Sequence, residues 1–297
     1  MTAGLFFQHL VNGISLGSLY ALIAIGYTMV YGIVRLINFA HGDIIMLAAY
    51  FVFFGVGMFS LPWWLAVIVS IALTVLVGIV IEKAAYKPLR EAPRISVLIS
   101  AIGVSFFLEN MGLVVFGGRA KAFYVPPIFK GVINISGVSI TSLGIIIPII
   151  SAILLFGMVY IVNHTVTGMA MRACSKDMDT AKLMGIDVDA IISFTFGIGS
   201  ALAAVGGIMW ALKYPQIHPL IGIMPGLKCF IAAVVGGIGN IPGAMLGGFL
   251  LGLGEILLVA FLPGLSGYRD AFAFIILIVI LLFKPTGILG EKVAEKV

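Results

Sequence analysis

Residues able to do chemistry are sparse in this chain and gather in a few places. The densest is 168–191, Gly-Met-Ala-Met-Arg-Ala-Cys-Ser-Lys-Asp-Met-Asp-Thr-Ala-Lys-Leu-Met-Gly-Ile-Asp-Val-Asp-Ala-Ile, a polar insert between long apolar runs. Ser175 suits an N-cap, its oxygen free to accept from backbone amides one turn on. Asp177 and Asp179 then fall in the first turn, where the helix dipole favours negative charge. Cys174, Met178 and Ala181 recur at i, i+4 and i+7 as one apolar stripe. Lys182 lies near the end and Gly185 suits the left-handed position that closes a helix. Asp187 or Asp189 can cap the next apolar helix. The pattern predicts a short helix over about 176–184. Such an element either docks a partner or lies as a solvated amphipathic loop on the headgroups, and pattern alone leaves both open.

A second cluster is Asn38, His41 and Asp43, which interrupt an apolar region. Polar groups at membrane depth are costly and often functional. Asp43 can also simply cap the helix after it at an interface. No His or Cys stands at i±3 or i±4 from His41, so no metal set is expected there. Glu109 and Glu255 fall inside apolar runs beside small or polar neighbours. A packed, hydrogen-bonded or interfacial glutamate is expected at each, in preference to a proton relay. The four histidines are scattered and stand near no recognisable nucleophile, so no catalytic residue is assigned. Cys174 and Cys229 have neither metal nor disulfide spacing and read as small buried residues. Gly236-Gly-Ile-Gly-Asn240 lacks the strand–helix setting and the Lys-Ser/Thr of a phosphate loop, and no Walker-type run occurs anywhere.

The elements that must position these residues follow from composition. Of 297 residues, 62% are hydrophobic and only 10% charged, with a mean hydropathy of +1.22. Soluble domains carry about 25% charge, so a water-soluble fold is excluded. Apolar runs near twenty residues long predict membrane-crossing helices rather than a β-barrel. The fold class is an all-α polytopic transmembrane bundle, read as one domain over 1–297. Spans are expected over about 11–34, 44–59, 65–81, 95–116, 142–162, 191–212, 227–238, 244–262 and 268–283. The second and seventh are short and can be re-entrant, so the count is eight or nine. Arg35 is the first basic residue, so no cleavable signal peptide is expected.

Charge bias orients the spans. Alternating sides gathers Arg35, Lys83, Lys87, Arg90, Arg94, Arg172, Lys176, Lys182, Lys284, Lys292 and Lys296 on one face, against Arg119, Lys121, Lys130, Lys213 and Arg269 on the other. Lys228 begins the short seventh run. The richer face is expected to be cytoplasmic, with the insert and the C-terminus there and the N-terminus outside. The net charge of +5 is then a topology signal, and no basic stripe suggests nucleic acid. The breaks at 38–43 and 240–243 look broadly alike and hint at two related halves.

Motifs in order along the chain resemble one family. They are Asn12-Gly-Ile-Ser-Leu-Gly-Ser-Leu-Tyr-Ala-Leu-Ile-Ala-Ile-Gly26, Tyr31 to Asp43, Met171-Arg-Ala173 with Ala181 and Met184-Gly-Ile186, Val234 to Ala244, and Lys284-Pro-Thr-Gly-Ile-Leu-Gly290. Together they resemble the branched-chain amino-acid ABC permease family of the LivH type. The insert is similar to the coupling loop of ABC-importer permeases at Ala173, Ala181 and Gly185, although Arg172-Ala-Cys174 stands where a Glu-Ala-Ala is usual.

The resemblance implies import of branched-chain or related small amino acids in a bacterial inner membrane. It also implies two ABC ATPase subunits that hold ATP and Mg, a homologous second permease of the LivM type, and a periplasmic binding protein. No cofactor is expected on this chain. Arg172, Ala173, Ser175, Lys176, Asp177, Met178, Ala181, Lys182, Met184 and Gly185 become the expected ATPase-coupling residues, with the Cys174–Met178–Ala181 stripe as face or scaffold of contact. Gly13, Ser15, Gly17, Asn38, His41 and Asn240 are the expected lining of a path between the two permeases. Permeases for urea or short amides look similar, and a channel or ion-coupled transporter acting alone is the rival of a different class.

Overall fold

A computed structural model describes residues 3–90, 92–135 and 137–290. Lys292, Lys296 and the chain end, which entered the charge bias, lie outside the described residues. Eleven α-helices are present among the described residues: α1 (Ala3–Val34), α2 (His41–Gly57), α3 (Trp63–Ile81), α4 (Arg94–Phe116), α5 (Ser142–His164), α6 (Val166–Lys176), α7 (Met178–Leu183), α8 (Val188–Lys213), α9 (Ile223–Gly236), α10 (Ile241–Phe261) and α11 (Arg269–Phe283). A π-turn over Glu82–Tyr86 extends α3. Seven helical stretches are long and apolar enough to cross a membrane, while α2 and α9 are shorter. Eight or nine membrane segments are expected; among the described residues seven stretches reach spanning length, and α2 and α9 fall short of it.

Hydrogen bonds sort the connections onto two faces. Strands β1 (Lys121–Ala122) and β4 (Gln216–Ile217) pair antiparallel, tying the loop after α4 to the loop after α8. Strands β2 (Val132–Ile135) and β3 (Val138–Thr141) form a hairpin beside the start of α1, where the Gln8 amide bonds both backbone groups of Ser139. On the opposite face, which carries the insert, Arg35 donates to the Ser175 carbonyl at 3.1 Å. Lys87 and Arg90 pair with Asp189 at the start of α8 on that face. Ile288 and Leu289 donate to Val235 and Gly236, so the last described turn also lies there.

The core runs along α1, α2, α8 and α10, and α1 is buried almost continuously through its middle. On α1, Gly17 and Ala21 meet Gly252 and Gly248 of α10 backbone to backbone, Gly13 lies against Leu253, and a Cβ on Gly17 would sit 2.9 Å from the Phe249 Cα. Small residues at four-residue spacing allow such close crossings where lipid removes the hydrophobic drive.

Packing reveals two halves of opposite direction. Helix α1 packs on α10 as α8 packs on α3, and α1 on α9 as α8 on α2. Likewise α2 lies along α3 as α9 lies along α10, and α4 touches α2 as α11 touches α9. The α1–α4 set and the α8–α11 set are therefore an inverted repeat, with α5–α7 inserted between them. The halves hinted at by the sequence exist, but their matching was misplaced. The counterpart of the 35–40 break is the 214–222 loop before α9, because both precede a short helix; the 239–243 break precedes a long one.

Candidate functional site

The two short helices begin inside the bundle. After α1 ends, the chain turns back, and His41 reaches the Ile23 carbonyl at 3.3 Å, well within α1. Asp43, in the first turn of α2, accepts from the Ser105 hydroxyl at 2.6 Å, at the middle of α4. The 214–222 loop dips from the other face until Gly222 meets Gly42, where a Cβ on Gly42 would lie 2.7 Å from the Gly222 carbonyl. Only glycine lets these two helix starts touch.

Where they meet lies a cavity of about 250 Å³. Tyr27, Asn38, Gly42, Asp43, Ser105 and Glu109 supply its polar lining, and Phe39, Ile102, Phe106, Ile223, Leu227 and Phe230 its apolar lining. Tyr27 is 4% exposed, stands edge-on to His41 and tilts against Phe230. Its hydroxyl finds no hydrogen-bond partner among the described residues. Asn38 accepts from Tyr86 at 3.0 Å.

Of the residues expected to line a path, Asn38 lies on this cavity. His41 is buried beside it, against Ile23 and Tyr27. Gly13 and Gly17 instead close the α1–α10 crossing. Ser15 is buried and accepts from the Lys213 ammonium at 2.7 Å. Asn240 caps α10, accepting from Gly243 at 2.8 Å and donating to the Leu289 carbonyl. Small residues are needed for backbone contact as much as for a pore, and the sequence does not separate the two uses. Tyr27 and Glu109 gave weak signals, a tyrosine and a lone carboxylate inside apolar runs.

Glu255 is packed and paired, as expected. It is fully buried, meets Lys228 at 2.7 Å and Arg269 at 3.1 Å, and accepts from the Tyr20 hydroxyl. Lys228 also meets Asp270 at 2.6 Å. The cluster locks α9 to α10 and α11, and its two positive and two negative groups balance. Glu82, also fully buried, pairs with Arg90 and accepts from Ser193 at 2.7 Å, fixing the α3 extension to α8.

The insert differs from its expected form. It holds two helices, since α6 starts at Val166 under a Thr165 cap that accepts from Gly168. Ser175 lies inside α6 and donates to the Arg172 carbonyl at 2.8 Å, so it is not an N-cap. Asp177 takes that role with extended backbone, accepting from Asp179 and Thr180, both at 3.0 Å. A carboxylate that reaches two amides is a stronger cap than a hydroxyl pointed back along its own helix. Gly185 closes α7 at φ +83°, and Ile186 donates to Ala181 in the expected C-terminal motif. Asp187 caps α8 through Ala190.

The stripe faces inward: Cys174 and Ala181 are buried and Met178 half-buried, with Met171 beside them. The stripe is thus a scaffold. Apolar surface is left outside at the tip by Leu183, 87% exposed, and Met184, 78% exposed, and along α6 by Val166 and Met169. Leu183 was not singled out from sequence. Arg172, Lys176 and Lys182 are exposed around this tip, while Ala173, Ser175 and Asp177 are half-buried.

Among the described residues, no group of three His, Cys, Asp or Glu side chains stands close enough to hold a metal. No solved structure matches the chain significantly. Residues 9–281 match the family model described as branched-chain amino acid transport system / permease component. The chain is 44% identical to the high-affinity branched-chain amino acid transport system permease protein BraD of Pseudomonas aeruginosa, over 98% of each. It is 43% identical to the corresponding protein LivH of Escherichia coli K12, again over 98% of each. A probable LivH of Methanocaldococcus jannaschii is 28% identical over 95% of this chain and 91% of its own. A match running from the first long helix to the last, on a bundle with this helical make-up, has one meaning: the chain belongs to the branched-chain amino acid transport permease family.

Proposed function

We propose that this chain is one membrane-spanning half of an ATP-driven importer that carries branched-chain or related small amino acids across the bacterial inner membrane. The observation that carries this reading is the match to amino acid transport permeases over nearly the whole chain, at 43–44% identity. It favours amino acids over urea or short amides, and a partnered permease over a channel acting alone.

The insert is the element that receives force. Two ABC ATPase subunits hold ATP and Mg and seat the Leu183–Met184 tip in a groove, and the exposed Arg172, Lys176 and Lys182 tune the fit. Support comes from the build of α6 and α7. Their inner stripe is packed on the bundle, so a push on the tip moves helices rather than a loose loop.

A homologous second permease of the LivM type faces the α4–α9 side, where Phe106, Phe107 and Met224 are exposed. A periplasmic binding protein delivers cargo to the face carrying β1–β4. The insert face is cytoplasmic in this reading, and the basic bias supports it.

A Met184→Cys variant in the assembled transporter tests this reading. We expect it to crosslink to an ATPase subunit, and without that subunit to react with impermeant maleimide only from the cytoplasmic side. Labelling from outside, or no crosslink at any reagent length, would remove the docking role.

A further inference from the structure

We infer that the cavity between the starts of α2 and α9 is a zwitterion site that holds one free α-amino acid with a small apolar side chain. It rests on the amino-acid permease reading and adds where in this chain the cargo sits and which groups hold it. The cargo carboxylate points to the Tyr27 hydroxyl and the start of α9, and its ammonium to Asp43 and Glu109.

The carboxylate pole stands on two observations. The start of α9 has no side-chain cap and no acidic residue in its first turn. No side chain of α9 itself compensates its positive dipole end, which lies beside the cavity that Ile223 and Gly226 line. Independently, Tyr27 lines the same cavity, and its hydroxyl is buried, with the residue 4% exposed and no partner for that hydroxyl among the described residues. A buried hydroxyl without a partner is expensive, and an acceptor in the cavity satisfies it.

The ammonium pole belongs to α2 and α4. Asp43 and Glu109 both line the cavity, and no Lys or Arg is among the described lining residues. Ser105 holds the Asp43 carboxylate in place through Oδ2. Two carboxylates with no basic neighbour on the cavity disfavour a bare anion and suit a cationic group. Phe39, Ile102, Phe106, Leu227 and Phe230 make the rest of the wall apolar. A volume of about 250 Å³ falls below the ~300–1,000 Å³ of sites for drug-sized ligands and suits one small metabolite. The site lies at the meeting of inverted repeats, where broken helices of transporters bind cargo.

Binding of labelled L-leucine to the complete membrane complex, without the binding protein, tests the site. Tyr27→Phe and Asp43→Asn should each weaken binding by about tenfold, the scale of one hydrogen bond to a charged group. Tyr160→Phe, an exposed tyrosine on α5, should leave binding unchanged. On the unaltered complex, valine should compete, whereas isoamylamine and 4-methylpentanoate, each lacking one charged pole, should not at tenfold higher concentration. Competition by either analogue as strong as by valine overturns the zwitterion site, as does unchanged binding in both cavity variants. An unaltered complex that binds no leucine here, yet imports it with ATP once the binding protein is added, overturns the site alone; one that neither binds nor imports it overturns the permease reading together with the site.

Discussion

Asp177 and Ser175 show how one side chain sets the shape of the insert. Asp177 bridges two amides of α7, whereas Ser175 spends its hydroxyl on its own helix. Losing such an N-cap costs about 1 kcal/mol. In Asp177→Ala we expect hydrogen exchange of the 179–184 amides to quicken about fivefold, and in Ser175→Ala to stay near the parent rate. Cys174 offers a second check at this scale. The residue is 2% exposed, and burial pushes the thiol pKa up. A raised pKa leaves less thiolate at neutral pH, so maleimide labelling of Cys174 should stay slow through pH 7–8. It should rise only at pH above the ordinary thiol value of about 8.5. Rapid labelling at pH 7 would show that the stripe does not stay packed on the bundle.

At the scale of elements, the short helix α9 is held by ions on its side and by glycine contacts at its ends. Lys228, Glu255, Arg269 and Asp270 join it to α10 and α11. Breaking a buried pair at one end costs about 3–5 kcal/mol, while replacing both ends with apolar groups is often neutral. Glu255→Gln should therefore lower stability by about 3 kcal/mol, nearer the low end because Asp270 still faces Lys228. The Glu255→Leu/Lys228→Met double variant should be less harmed than Glu255→Gln alone. Thermal unfolding of the purified complex reads both. This cluster also marks how far sequence reasoning reaches. The long helices and the turn at Gly185 follow from local periodicity and capping, which nearby residues determine. Glu255 was legible as a glutamate that must be satisfied, but its partners come from three helices and are fixed only by packing. Gly17 was misplaced for a related reason, since a small residue facing a pore and one facing another backbone have the same local signature. Asn38 and His41 were legible as polar residues at a break. That the break turns back to meet Gly222 depends on contacts about 180 positions apart in sequence.

At the scale of the whole molecule, two inverted halves place a cavity where α2 and α9 begin and a two-helix insert on one face. Helix α8 connects them: Asp187 caps it at the insert, Asp189 pairs there with Lys87 and Arg90, and its middle glycine Gly199 lies against Gly26 of α1. The chain thus runs from α7 through α8 to its contact with α1, the helix that carries Tyr27 on the cavity wall. Pairing at Asp189 is surface-exposed and worth about 0–1 kcal/mol, so Asp189→Asn should leave folding intact. The most direct measurement is ATP-driven leucine uptake into vesicles holding the full complex, with the parent chain and a Leu183→Asp/Met184→Asp variant side by side. We expect robust uptake by the parent, and by the variant only the level seen without ATP, although its chain inserts and folds normally. Equal ATP-driven uptake by both would contradict the assignment of the insert as the element that receives force.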